Sequence, residues 1–352
     1  MTLSGTPREN GYRMPAEWAR HTATWIAWPH NPNDWPGKFQ AIPWVYADIV
    51  RHLSRVEEVH ILVDHAAAEK RAHRILQRAG ANLARIWFHR WPTNRVWTRD
   101  SGPIFIKNSQ GHSAITNWKF NAWAKYDDWQ LDDEFPGRVA EELRLPQWTP
   151  KIGDHRVVLE GGSIDVNGAG TLITTEECLL SEVQQRNPGI GREQLEQAFH
   201  DYLGVDQVLW LGRGIAGDDT HGHVDDITRF VNENTIVTVI ETNRDDENHL
   251  PLAENLDRLK SARNLDGKPF QIVELPMPAP VVFDGQRLPA SYGNFYIAND
   301  LVLVPTFNDP NDRKALSILA GLFPDREVVG IHCGDFIWGL GALHCMTQQQ
   351  PA

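Results

Sequence analysis

The sequence predicts an α/β protein in which five strand–strand–helix–strand units form a ring. Three observations carry that expectation. First, an alternating apolar hairpin pattern with Asn at its turn occurs four times, at Asn108, Asn167, Asn232 and Asn299, with spacings of 59, 65 and 67 residues. Second, each copy leads into a helical stretch and then one more apolar run; a unit recurring at a near-constant period signals an array or a closed ring. Third, the segment around Cys345 would open a fifth unit whose second strand must come from Thr22–Trp28, so that the two chain ends meet. At 352 residues the chain is long for one ordinary core. Two separate domains are the competing organisation, and one ring over residues 1–352 is preferred.

The elements follow in order. Residues 22–29 read as a strand, followed by a Pro/Asn/Gly-rich loop and an amphipathic helix with Val45, Ile49, Leu53 and Val56 on one face. Glu58–Asp64 is a strand, Ala66–Ala79 a helix stopped by Gly80, and Arg85–His89 another strand. The four hairpins run Asp100–Asn108 into Ser113–Trp118, Glu160–Asn167 into Thr171–Thr174, Asp225–Asn232 into Ile236–Ile240, and Tyr292–Asn299 into Leu301–Pro305. Helices are expected over Val139–Leu145, Glu193–Leu203, Leu252–Leu265 and Arg313–Phe323. Closing strands are expected at Val157–Leu159, Val208–Leu211, Ile272–Leu275 and Val328–Ile331. The tail Gly339–Gln350 suits neither a helix nor a packed strand, because glycines frame a cysteine and a run of amides follows.

Composition narrows the function. A net charge of −12 argues against nucleic acid and favours cationic ligands. Three cysteines in so long a chain make no disulfide framework, which points to a reducing compartment. Residues 1–20 carry Arg8, Glu9, Arg13 and Glu17 without an apolar block, so neither an export signal nor a membrane span is expected. The expected setting is the cytoplasm, with a homo-oligomer left open. Many of the 14 Trp sit in loops (Trp28, Trp35, Trp91, Trp123), which suggests aromatic-lined surfaces.

The residue opening each of the first three hairpins is acidic: Asp100, Glu160 and Asp225, seven or eight positions ahead of its turn Asn. In a ring, equivalent positions face one axis, so these carboxylates would meet His223 and Cys345 there. Gathered carboxylates repel unless a cation is present, and a planar guanidinium matches them by paired hydrogen bonds. A thiolate is a nucleophile, and a histidine can protonate a leaving amine and then deprotonate water. Attack by sulfur on a bound guanidinium, with loss of ammonia, is a self-consistent use of this mixture. Trp97 could stack on the cation. The rival is a metal site in His221-Gly-His223-Val-Asp225, a ligand spacing with alternate residues on one face. It finds no second His pair and leaves Cys345 without a role. Asp218, Asp219 and Asp226 read as a solvated loop, Arg99 as an ion-pair partner of Asp100, Gly161-Gly162 as a weak phosphate cradle, and Cys333 as buried packing.

With these residues laid out, the chain resembles the agmatine deiminase and bacterial-type peptidylarginine deiminase family of guanidine-modifying (pentein) enzymes. The resemblance rests on Trp97-Thr-Arg-Asp-Ser-Gly-Pro103, Asn117-Trp-Lys-Phe-Asn-Ala-Trp123, Leu159-Glu-Gly-Gly-Ser163, His221-Gly-His-Val-Asp-Asp226 and Leu343-His-Cys-Met-Thr-Gln-Gln-Gln-Pro351. It implies a five-bladed pseudo-symmetric α/β propeller of ββαβ units, the pentein fold. It also implies Cys345 as nucleophile, His223 as general acid/base, Asp100 and Asp225 as guanidinium clamps, and Glu160 as a substrate contact, with no metal and no cofactor. The implied reaction is agmatine to N-carbamoylputrescine plus ammonia through a thiouronium on Cys345, with peptidyl or free arginine as the alternative substrate. One departure stands out: the family commonly has Gly-Gly-Gly-Asn-Ile before His-Cys, where this chain has Gly339-Leu-Gly-Ala-Leu343.

Overall fold

The computed structural model describes residues 4–352, and the chain is mixed α/β. Four times an antiparallel hairpin passes through a helix into a strand that pairs in parallel with the hairpin's second strand. The sheets are Ile104–Asn108, Ser113–Thr116 and Gln147–Trp148, with Tyr12–Arg13 added at the edge; Asp165–Val166, Thr171–Thr175 and Gln207–Leu211; Thr228–Asn232, Thr235–Ile240 and Gln271–Pro276; and Tyr296–Ala298, Leu301–Thr306 and Glu327–His332. The intervening helices are Phe135–Leu143, Arg192–Leu203, His249–Ser261 and Asp312–Leu322. The fifth sheet joins the chain ends: Gln348–Pro351 lies antiparallel to His21–Ala27, which pairs in parallel with Glu58–Leu62 and that strand with Ile86–His89.

The recurring Asn has a local cause. The side chains of Asn108, Asn167 and Asn232 each accept from a backbone N–H two residues on, at 3.1, 2.9 and 3.0 Å, the Asx-turn geometry that reverses a chain. Asn299 is used differently: it accepts from His21 N and donates to His21 O, pinning the N-terminal strand beside the fourth hairpin. Gly80 ends its helix at φ 77°, the left-handed position that favours glycine.

Four elements differ from expectation. Gln348–Pro351 is a strand whose amides find distant partners: Gln350 accepts from Trp25 Nε1, Gln349 from Arg99 Nη1, and Gln348 donates to Pro103 O, with Gln348 Oε1 left buried without a donor. The first closing strand is Gln147–Trp148, which follows its helix directly. Val157–Leu159 sits beyond the small hairpin Lys151–Ile152/His155–Arg156 and only bridges Lys119. The third helix starts at His249 and stops at Ala262, whose ψ of 153° is extended. Finally, Trp28, Trp35 and Trp123 are buried and Trp91 is half-buried, while Trp44 and Trp87 are the exposed indoles among the described residues.

The buried indoles also explain the tail glycines. A Cβ on Gly339 would lie 2.5 Å from the Trp35 ring, and one on Gly341 would lie 2.8 Å from the Trp97 ring. Neither glycine has positive φ. They are required for close approach of indoles, and the tail that carries Cys345 is packed against Trp35 and Trp97 as a result.

Candidate active site

The structure brings Asp100, His223, Asp225, Glu160 and Cys345 into one cluster, all essentially buried. His223 Nδ1 lies 3.7 Å from Asp100 Oδ1 and 3.9 Å from Asp225 Oδ1, and its Nε2 lies 3.7 Å from Glu160 Oε2. Cys345 Sγ lies 3.8 Å from Asp225 Oδ2. A cavity of about 300 Å³ opens onto Cys345, Asp100 and Trp97, within the size range of small-ligand sites. His223, Asp225 and Glu160 are not among the residues lining it. His223 Nδ1 and Nε2, Asp225 Oδ1 and Glu160 Oε2 are buried without a hydrogen-bond partner, a costly arrangement that a bound donor would relieve.

Each group is presented by local structure. Asp100 sits in the short helix Thr98–Ser101 and accepts from Trp123 Nε1 at 2.9 Å and from Gly162 N at 3.2 Å. Gly162 is the floor of the cluster: a Cβ there would lie 2.6 Å from His223 Nδ1, 2.7 Å from Asp100 Oδ1 and 3.1 Å from Asp225 Oδ2. This replaces the phosphate-cradle reading of the glycine pair. Asp218, expected to be solvated, accepts from Gly222 N at 2.7 Å and His223 N at 3.1 Å and so shapes the turn that carries His223. Asp226, also expected to be solvated, is buried and accepts from Asn294 Nδ2 at 3.0 Å. Arg99 pairs with Glu17 rather than Asp100 and ties down the tail through His344 O. Glu160 Oε1 accepts from Arg186 Nε at 3.0 Å.

The metal alternative on His221 and His223 is not supported by the geometry. His221 sits at φ 65°, and its Nε2 is 3.2 Å from Ser181 Oγ. Among the described residues, the two groups with metal-ligating atoms within 4.8 Å of one another are Glu160–Cys178–His223 and Asp225–Asp226–Cys345, and neither includes His221.

Sequence reasoning missed three members. Asn294 donates to Cys345 Sγ at 3.1 Å and accepts from His344 N at 3.0 Å. His344 lies between Asp225 Oδ2 at 2.6 Å and Glu17 Oε2 at 2.7 Å. Glu17 also pairs with Arg229 at 2.9 Å. Asn294 opens the fourth hairpin two residues after Tyr292, a signal that was legible, whereas nothing near Glu17 marked it.

Electrostatics divide the carboxylates. Burial would raise Glu160, but Arg186 and His223 hold it at about 2. Burial would also raise Asp225, but His344, His223 and Arg229 keep it below the usual range. Asp100 is pushed up to about 7 by burial, with Asp225 and Glu160 adding to it. Burial works against an imidazolium at His223, but Asp100, Cys178 and Glu160 more than offset it and hold the ring well above the ordinary histidine range. Burial, then Asp225, Asp226 and Asp100, push the Cys345 thiol well above its ordinary value, with the Ala342 N–H opposing.

The model of the Porphyromonas-type peptidyl-arginine deiminase family matches residues 13–351. The chain belongs to this family. It is 37% identical to an agmatine deiminase of Pseudomonas syringae pv. syringae, over all of this chain and 98% of that one. Among solved structures of the family's kind, the agmatine deiminase of Enterococcus faecalis superposes with a TM-score of 0.91 at 31% identity, covering 99% of both chains. A cysteine-to-serine variant of C. jejuni agmatine deiminase with substrate bound gives 0.85 at 28% identity, over 97% of this chain and 96% of that one.

Proposed function

We propose that this chain hydrolyses agmatine to N-carbamoylputrescine and ammonia through a covalent intermediate on Cys345. The observation that carries the reading is Cys345 and Asp100 at the wall of a small cavity, with His223 and two carboxylates whose buried oxygens lack a donor, Asp225 and Glu160, packed behind them. A planar guanidinium supplies paired donors to two carboxylates at once. Asp100 and Asp225 hold it, and Trp97 covers it at the cavity wall. The bound cation also favours the thiolate, reversing the effect of the surrounding carboxylates on Cys345.

The chemistry then balances. Cys345 Sγ forms a bond to the guanidinium carbon, and the C=N π electrons move to nitrogen. His223 gives its proton to the departing nitrogen, the C–N bond breaks, and ammonia leaves. Neutral His223 takes a proton from water as the oxygen bonds to the thiouronium carbon. The C–S bond breaks, returning the sulfur and leaving a ureido product. Glu160, drawn toward Arg186, supports the charge on His223 from behind and does not reach the cavity. His344 and Asn294 are positioning residues for Asp225 and Cys345.

The five sheets fit units closed into a pentein-type propeller, one catalytic domain about a pseudo-fivefold axis. The pairing of the two chain ends supports that arrangement. The test is ammonia release from agmatine, free arginine and an arginine peptide, with and without a chelator. Agmatine turnover that is abolished by Cys345→Ala and indifferent to the chelator is expected. Turnover that survives Cys345→Ala and stops with the chelator would end the proposal.

A further inference from the structure

Cys178 takes no part in the reaction above, yet it lies against the two groups packed behind the cavity. One ligand atom from each of Glu160, Cys178 and His223 lies within 4.8 Å of the other two, and all three side chains are completely buried. His223 Nε2 and Glu160 Oε2 are 3.7 Å apart, and neither has a hydrogen-bond partner. A tetrahedral zinc ion with bonds of about 2.0–2.3 Å sets its N, O and S ligands roughly 3.4–3.6 Å from one another. The histidine and the glutamate already stand near that spacing. Connected local structure holds the three. Cys178 sits in the short helix Glu176–Leu180, whose cap Thr175 accepts from Cys178 N and donates to Gly222 O, the residue before His223. Arg186 Nε occupies Glu160 Oε1 at 3.0 Å and leaves Oε2 free. At the other edge of the ring, Nδ1 faces Asp100 at 3.7 Å and Asp225 at 3.9 Å, the placement of carboxylates that orient a metal-bound histidine. Arg186 adds a positive charge beside the group, and Asp218 is near enough to offset it.

We propose that Glu160, Cys178 and His223 form a zinc site through which a thiolate-seeking divalent cation inhibits the enzyme. A thiolate, an imidazole and a carboxylate are ligands for zinc and not for magnesium or calcium. The ion takes the place of the His223 Nε2 proton and of the Cys178 thiol proton, and both protons leave to water, so charge is conserved. A ring bonded to zinc at Nε2 keeps its Nδ1 proton only, and as a neutral donor it is a far weaker acid than imidazolium. Departure of ammonia slows, while the guanidinium contacts of Asp100 and Asp225 remain available. The signature is a lower kcat at unchanged KM. The other group of ligating atoms, Asp225–Asp226–Cys345, gives the opposite signature, because an ion there excludes the guanidinium and raises KM.

The test measures agmatine turnover over a series of added ZnCl₂, with MgCl₂ in parallel, and uses Co²⁺ as a spectroscopic probe. Zn²⁺ should lower kcat without raising KM, a chelator should restore it, and Mg²⁺ should have no effect. In Cys178→Ser, the zinc concentration that halves the variant's own zinc-free rate should rise by more than about 100-fold, beyond the roughly 10- to 100-fold that an outer-shell partner is worth. Cys345→Ala should still bind Co²⁺ with thiolate-to-cobalt charge-transfer absorption, and adding Cys178→Ser to it should remove that absorption. Inhibition that raises KM, or cobalt absorption that disappears in Cys345→Ala, puts the ion on the Asp225–Asp226–Cys345 group and overturns the proposal. So does a protein that keeps its full rate in Zn²⁺, or one that Mg²⁺ inhibits equally. The Cys345→Ala arm decides the matter even where Cys178→Ser does not fold. It needs no turnover, so the metal site and the deiminase reading stand or fall separately.

Discussion

Replacing Gly162 with Ala tests the cluster at its centre with one methyl group. Relaxed contact needs about 3.4 Å, so His223 Nδ1 must retreat by roughly 0.8 Å and Asp100 Oδ1 by roughly 0.7 Å from the added Cβ. A displacement near 1 Å at reacting groups costs on the order of 10²-fold in rate. A fall in kcat of about 30- to 100-fold is therefore expected, or about 2–3 kcal/mol in the barrier. Overpacking should also cost about 1–3 kcal/mol of stability. Steady-state ammonia release reads the first effect and thermal unfolding the second. The control is Gly321→Ala in the helix Asp312–Leu322, where a Cβ meets nothing within 4 Å; it should keep full activity and gain up to about 1 kcal/mol. A folded Gly162→Ala protein with kcat within about twofold of wild type would refute the placement of imidazole and carboxylates around this glycine.

Three further outcomes follow from the charges. Asp100 titrates near 7 in the folded chain, above its ordinary value near 4. The folded state then binds the extra proton, so its contribution to stability is lost as pH rises through that window; Asp100→Asn should be inactive yet more stable than wild type at pH 8, by at most about 4 kcal/mol, in urea melts. Glu17 is the opposite case, because burial would raise it while Arg229, His344 and Arg99 hold it well below the usual range. Its stabilisation is present at neutral pH and lost in acid, so Glu17→Gln should cost about 3–5 kcal/mol at pH 7, and the gap to wild type should narrow below about pH 4. Of the three free cysteines, Cys345 is the one that lines the cavity. Iodoacetamide should modify it alone, slowly at pH 8 because the thiol is raised, and mass spectrometry showing Cys178 or Cys333 alkylated first would contradict that access route.

The repeat was legible because Asn at a tight turn leaves a period in the sequence. Three of the four turn Asn residues make that turn themselves, and the acids opening those hairpins do converge. What the period could not carry were the parts that break it. Gln147–Trp148 took the closing position that Val157–Leu159 was expected to hold, since two residues of strand leave almost no alternating pattern. The tail hid its strand because amide side chains read as loop until their partners Arg99, Trp25 and Pro103 O are known. Glu17 was invisible for a related reason: an isolated acid in an N-terminal loop gains its meaning only from Arg229 and His344, which lie more than two hundred residues away.

The same distant partners explain why the site wants a cation. Fixed charges settle three of its carboxylates: Arg186 answers Glu160, Arg229 and Arg99 answer Glu17, and His344 answers Asp225 while bridging it to Glu17. Among the described residues, Asp226 has no cation in contact and Asp100 has only His223; both are pushed upward by burial, with Asp225 adding to it. The deficit falls beside Cys345, where the thiol is pushed up by the same unanswered charge. A molecule that supplies one planar cation at this point therefore answers the uncompensated charge, gives the unpartnered Asp225 Oδ1 a donor and activates the sulfur in one step. A neutral amide would satisfy some of the hydrogen bonds and none of the charge, so the site discriminates by the cation and not by shape alone.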